Sequence, residues 1–172
     1  MSRELSREAY TSLFGATEGD RVRLGDTNLL AKIETDHTTY GDEAVFGGGK
    51  TMRDGMGMQP GTTQAEGALD YVYTNVVLID PVLGVQKGDL GVRNGEVAGF
   101  GKAGNPDTMD GVDENLIIGA STDAVPADGL IATPGAFDIH VHFNSKELFE
   151  HALASGITTM FGGGYGGGAT TC

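Results

Sequence analysis

Apolar positions along the chain change spacing several times. Between Ser6 and Phe14, Tyr10, Leu13 and Phe14 fall three and four residues apart, which predicts a helix stopped by Gly15. Arg21-Val22-Arg23-Leu24 reads as a short strand, and residues 41–67, with Gly47-Gly48-Gly49 and Gly55-Met56-Gly57, read as an ordered loop or a linker. From Leu69 the spacing becomes that of strands. Tyr71-Val72-Tyr73 and Val76-Val77-Leu78-Ile79 are separated by Asn75, which marks a turn or a bulge. Asp89–Arg93 and Glu96–Phe100 flank Asn94-Gly95, a dipeptide suited to a hairpin because both turn positions need positive φ. Leu116-Ile117-Ile118 and Asp123-Ala124-Val125 add two short strands. Residues 69–130 therefore predict a small β-rich unit.

The last section predicts a different arrangement. Phe137–Phe143 is strand-like. Lys146–Ser155 carries Leu148, Phe149, Ala152 and Leu153 at helical spacing, with Gly156 at its stop. Ile157-Thr158-Thr159-Met160-Phe161 has the β-branched, apolar character of a buried strand. Strand, helix and strand with short links predict a βαβ unit with parallel strands.

Composition narrows the functional classes. An apolar share of 39% over 172 residues can build a core, and 29 glycines imply many turns and close backbone approaches. The net charge is −13, from 24 acidic and 11 basic residues, spread along the chain. That balance argues against nucleic acid and against anionic membrane surfaces as partners. It fits either a well-solvated surface or adaptation to high salt, where counterions screen self-repulsion. There is no apolar run near the ~18 residues of a membrane span and no secretory h-region. The single cysteine, Cys172, allows no internal disulfide, so a cytoplasmic location is expected.

Two phosphate-loop patterns fail on context. Gly49-Lys50-Thr51 has Ala44 where a P-loop needs glycine. Gly99-Phe100-Gly101-Lys102-Ala103-Gly104 matches a dinucleotide fingerprint, but Asn105-Pro106-Asp107 follows where a helix should open. The informative constellation is Asp138-Ile139-His140-Val141-His142. Strand alternation puts Asp138, His140 and His142 on one face, and Phe137, Ile139, Val141 and Phe143 on a packed opposite face. Two imidazoles two residues apart can reach one metal ion, and neutral imidazole suits Zn, Ni, Cu and Fe. The alternative is a pair of inert, hydrogen-bonded core histidines. In a (β/α)₈ barrel, functional side chains project from the C-terminal ends of strands, and both histidines lie near that end. His37, in the polar run 35–39, reads as a solvated loop residue. His151 reads as surface or packing, and Glu147 and Glu150 as a solvated helix face.

The chain resembles the N-terminal part of the urease alpha subunit family. The resemblance rests on Arg7-Glu8-Ala9-Tyr10, Gly19–Leu24, Thr38–Glu43, Phe46–Lys50, Arg53–Gly57, Gly101–Asp107, Phe137–Phe143 and Ala152–Met160. The His-x-His motif is shared across the amidohydrolase superfamily, whereas the earlier blocks are more specific. The resemblance implies a mixed α/β fold. An N-terminal β-rich composite domain over 1–130 would be followed over 131–172 by the first β-α-β portion of a metal-dependent (β/α)₈ barrel. It implies a two-nickel centre hydrolysing urea to ammonia and carbamate, with His140 and His142 ligating one nickel and the backbone of Ala169 lining the urea pocket. The stretch Gly162–Gly168 is shorter than the family's. The carbamylated lysine, the other ligands and the flap histidine of the family lie beyond this sequence. With 42 residues after Leu130, against roughly 200 or more for a barrel, the barrel is expected to be incomplete and the chain alone inactive. Urease beta and gamma subunits, accessory proteins and homo-oligomeric assembly are the implied partners. Two other readings remain open here: a truncated, non-catalytic paralogue, and a zinc amidohydrolase of hydantoinase or dihydroorotase type.

Overall fold

The computed structural model describes residues 4–43 and 57–163. The glycine-rich stretches at 47–49 and 164–168, together with Ala169 and Cys172, lie outside them. The chain divides into two compact units, Met1–Ala132 and Thr133–Cys172.

In the first unit, helix α1 (Arg7–Phe14) begins where the Ser6 hydroxyl accepts the Ala9 N–H, 3.2 Å, and ends at Gly15 with φ 79°. Strands β1 (Arg21–Arg23) and β2 (Leu30–Lys32) form an antiparallel pair. The main sheet holds β3 (Thr35–Asp36), β4 (Tyr71–Asp80), β5 (Gly84–Arg93), β6 (Glu96–Gly101), β7 (Asp123–Pro126) and β8 (Ile131–Ala132). Its order is β3-β5-β4-β7, with β6 on β5 and β8 on β4. Tyr71–Tyr73 and Val76–Ile79 belong to one strand, and Asn75 is a bulge in it with φ 57°. Asn94 and Gly95 turn the β5–β6 hairpin with φ 55° and 78°, as the dipeptide predicts. Residues 99–104 lie on β6 and its exit.

Leu116–Ile118 differs from expectation. It forms no named strand and makes only an isolated bridge, Gly104 to Ile117. Its apolar side chains are nevertheless core: Leu116 and Ile118 pack with Leu69, Val72 and Ala103. Gly91 completes this contact, since a Cβ there would stand 2.5 Å from Leu116 and 2.8 Å from Leu69.

Charged groups also enter this unit. Lys87 on β5 is fully buried, and its Nζ donates to the Phe14 carbonyl, 2.6 Å, at the C-terminus of α1. A cation is favourable there because the last carbonyls of a helix carry partial negative charge. Lys102 donates to Asp42 (2.6 Å), Thr39 (3.1 Å) and the Asp110 carbonyl (2.6 Å), fixing residues 39–42 to the exit of β6. His37 is half-buried rather than a solvated loop residue. Its Nε2 lies 2.9 Å from Gln86 Oε1, and its ring meets Phe100 edge-on.

Asp89, on β5, accepts the Asn75 N–H (3.0 Å) and the Ala103 N–H (2.8 Å). Burial pushes its carboxyl up to about 6 against these two donors and the nearby Lys87 and His37 charges. A folded-state value above the ordinary one near 4 means that the native protein holds more protons between the two. The group's contribution to stability is thus complete below pH ~4 and lost as pH rises through about 6, on the order of 3 kcal/mol across that span. The carboxyl carbon resonance of Asp89 is expected to titrate near pH 6; a midpoint near 4 contradicts this environment.

In the second unit, β9 (Ala136–His142), α2 (Glu147–Ala154) and β10 (Ile157–Gly163) form the predicted parallel β-α-β arrangement. The expectation of packed apolar faces does not hold among these residues. Phe137 is 66% and Ile139 79% exposed, and Leu153 and Phe161 are also exposed. The physical reason is that two strands and one short helix leave too little surface to cover both faces of a parallel sheet.

Among the described residues, no helix is long and apolar enough to cross a membrane.

Candidate metal centre

His140 and His142 lie at the C-terminal end of β9, beside Gly162 and Gly163 of β10. The two Nε2 atoms stand 3.4 Å apart and the rings meet at 63° with centroids 5.2 Å apart. Both side chains are exposed. Metal–imidazole bonds are about 2.0–2.1 Å, so one ion can bind two nitrogens up to roughly 4.2 Å apart. The observed separation is within that reach, and the donor set, two neutral imidazole nitrogens, suits nickel as well as zinc. The two histidines therefore fit as a pair of ligands to one ion. Among the described residues, no cluster of three or more His, Cys, Asp or Glu side chains could hold a metal. Completing a coordination sphere needs groups from outside these residues.

Strict alternation along β9 does not hold. Asp138 pairs with Met160 and Val141 with Gly162, so β9 advances three residues while β10 advances two. Ile139 and His140 thus face a single residue, Phe161. Burial follows the extra residue: Asp138 and Val141 are half-buried, whereas Ile139, His140 and His142 are exposed. The expected grouping of Asp138 with both histidines on one face gives way to this irregularity, which period-two reasoning has no means of detecting.

The other sequence candidates fall elsewhere. His151 is exposed on α2, and Glu147 and Glu150 are exposed in its first turn. His37 belongs to the first unit, packed on Gln86 and Phe100. Ala169, expected in a substrate pocket, lies outside the described residues.

The fold is that of a mostly-sheet α/β protein in which two histidine side chains converge at one strand end. Comparison with known proteins is specific. The model of the urease alpha-subunit N-terminal domain matches residues 3–125. Urease subunit alpha of Haloquadratum walsbyi is 84% identical over the whole chain, and that of Natronomonas pharaonis 78%. Urease subunit alpha of Laribacter hongkongensis is 56% identical over 94% of the chain. A solved L-hydantoinase from Arthrobacter aurescens overlaps 54% of the chain at 25% identity, with a TM-score of 0.38. The chain belongs to the urease alpha-subunit family. It spans 30% of the length of the Haloquadratum and Natronomonas relatives and 28% of the Laribacter one.

Proposed function

We propose that this chain forms part of a nickel-dependent urease, the enzyme that hydrolyses urea to ammonia and carbamate. Family membership carries the reading, and the convergent Nε2 atoms of His140 and His142 support it. In this reading the two histidines hold one of two nickel ions. Nickel, when bound, supplies Lewis-acid polarisation of the urea carbonyl and activation of the attacking water. The histidines contribute neutral nitrogen donors on a strand end, where a rigid main chain fixes their separation. The carbamylated lysine and the other ligands belong to sequence beyond this chain. Ala169 contributes backbone to the urea pocket.

The same reading takes residues 1–130 as the β-rich composite domain and 131–172 as the opening of a (β/α)₈ barrel. It makes urease beta and gamma subunits, accessory proteins and further copies of the alpha subunit the partners, in the cytoplasm. The specific match over residues 3–125 favours urease over a zinc hydantoinase or dihydroorotase. The direct test is ammonia release from urea by the enzyme containing this chain, after metal removal and reconstitution. Activity restored by nickel and not by zinc supports the proposal; activity with zinc alone, or hydrolysis of cyclic amides in place of urea, overturns it.

The charge of −13 has a consequence of its own. Screening relieves self-repulsion, so the thermal midpoint of the enzyme is expected to rise between 0.1 M and 2 M KCl. An unchanged or falling midpoint would assign the acidity to solvation alone.

A further inference from the structure

We propose that Asp138 is a positioning residue for the two histidines: its carboxylate holds the irregularity in β9 that brings their Nε2 atoms to one point. The proposal rests on the reading of His140 and His142 as ligands of one nickel, and adds to it a residue that is not itself a ligand.

Three observations carry it. First, β9 contains an extra residue between the pairs Asp138–Met160 and Val141–Gly162, and His140 sits in that extra step. Bulges are uncommon between parallel strands and are over-represented next to active sites, where they re-aim side chains. A second shift, at Thr158 on β10, compensates, so register is restored at His142–Gly163. Second, the main-chain N–H of His140 donates to Asp138 Oδ1, 3.0 Å. The short aspartate side chain reaches the N–H two residues on, an arrangement that competes with regular strand pairing. Third, β10 lies so close to β9 just beyond the bulge that a Cβ on Gly162 would collide with the Val141 main chain, including its carbonyl oxygen. The bulge is thus held by a hydrogen bond at its start and by a glycine at its far side. His140 projects from the main chain between these two points, and His142 immediately beyond the second.

Asp138 acts through the main chain of His140, so its charge is dispensable and its acceptor oxygen is not. Asp138→Asn keeps an oxygen at the same reach; Asp138→Ala leaves the His140 N–H without this partner. In the complete nickel-loaded enzyme, Asp138→Ala is expected to lower nickel affinity about 10–100-fold, the usual cost of losing a group that orients a ligand. Asp138→Asn is expected to stay within about threefold of the parent. Affinity is read by nickel content after equilibration with a competing chelator, and ring placement by nickel-edge X-ray absorption. Asp138→Ala with parental affinity overturns the proposal. So does Asp138→Asn falling as far as alanine, which would mean that charge or direct ligation matters. Should the alanine variant fail to fold, Asp138→Leu, similar in size and without an acceptor, takes its place. Nickel loss in the leucine variant with retention in Asp138→Asn then supports the proposal, and equal affinity in the two overturns it. His140→Ala in the same series separates the two levels. Full nickel in that variant removes the ligand reading itself; nickel loss there, with parental affinity in Asp138→Ala, removes only the positioning role.

Discussion

Replacing His140 with alanine in the full subunit is expected to empty one of the two nickel positions and to reduce urea hydrolysis by about 10³-fold or more. The size follows from the chemistry. A metal acting as Lewis acid supplies several kcal/mol of transition-state stabilisation, and each 1.36 kcal/mol is a factor of ten in rate. His142 alone leaves this pair with one nitrogen where two stood 3.4 Å apart. His142→Ala is expected to behave alike, because the proposed reading gives both nitrogens to the same ion. Elemental analysis and ammonia assays check both. Parental nickel content in either variant contradicts the assignment, whatever happens to the rate.

The second large effect concerns the first unit. Asp89→Ala removes the acceptor of two N–H groups, one at the Asn75 bulge of β4 and one at Ala103 beyond β6. A buried donor left unpaired costs about 1–3 kcal/mol, so together they imply a loss of roughly 2–6 kcal/mol. The loss is partly offset, since the variant no longer carries a carboxylate that burial disfavours. Asp89→Asn keeps one acceptor oxygen and is expected to fall between the parent and Asp89→Ala. The measurement is amide hydrogen exchange at Asn75 and Ala103 with the thermal midpoint of the same protein. Unchanged protection at both amides would show that Asp89 does not hold these segments.

Legibility from sequence followed the range of the interaction. Local signals were readable: Gly15 after α1, Asn75 inside β4, Asn94-Gly95 in the β5–β6 turn, and the spacing that separates β9, α2 and β10. Each depends on residues within a turn or two of one another. Contacts across long sequence separations were not readable. Nothing near Lys87 marks it as the partner of Phe14, 73 residues away, and a lysine in a strand normally reads as surface. His37 looked solvated because its neighbours are polar, yet Gln86 and Phe100 come to it from β5 and β6. Strands β2 and β3 are three and two residues long, too short to show a period.

The convergence of the two imidazoles was legible, and its detail was not. The His-x-His spacing gave the two nitrogens, and the structure brings them together. Their aim depends on the extra residue in β9, which strict alternation cannot foresee. Strict alternation groups Asp138 with the histidines as a third polar side chain on their face. The structure instead shows it half-buried and bonded to the main chain of His140. The same alternation predicts a covered face for the apolar neighbours Phe137 and Ile139. A single helix and one neighbouring strand do not supply that cover.

The central claim is that His140 and His142 share one nickel ion. Crystals of the complete enzyme measured on both sides of the nickel absorption edge test it most directly. The account predicts an anomalous peak within about 2.0–2.1 Å of both Nε2 atoms. A nickel-loaded, active enzyme with no peak within bonding reach of either nitrogen would contradict it.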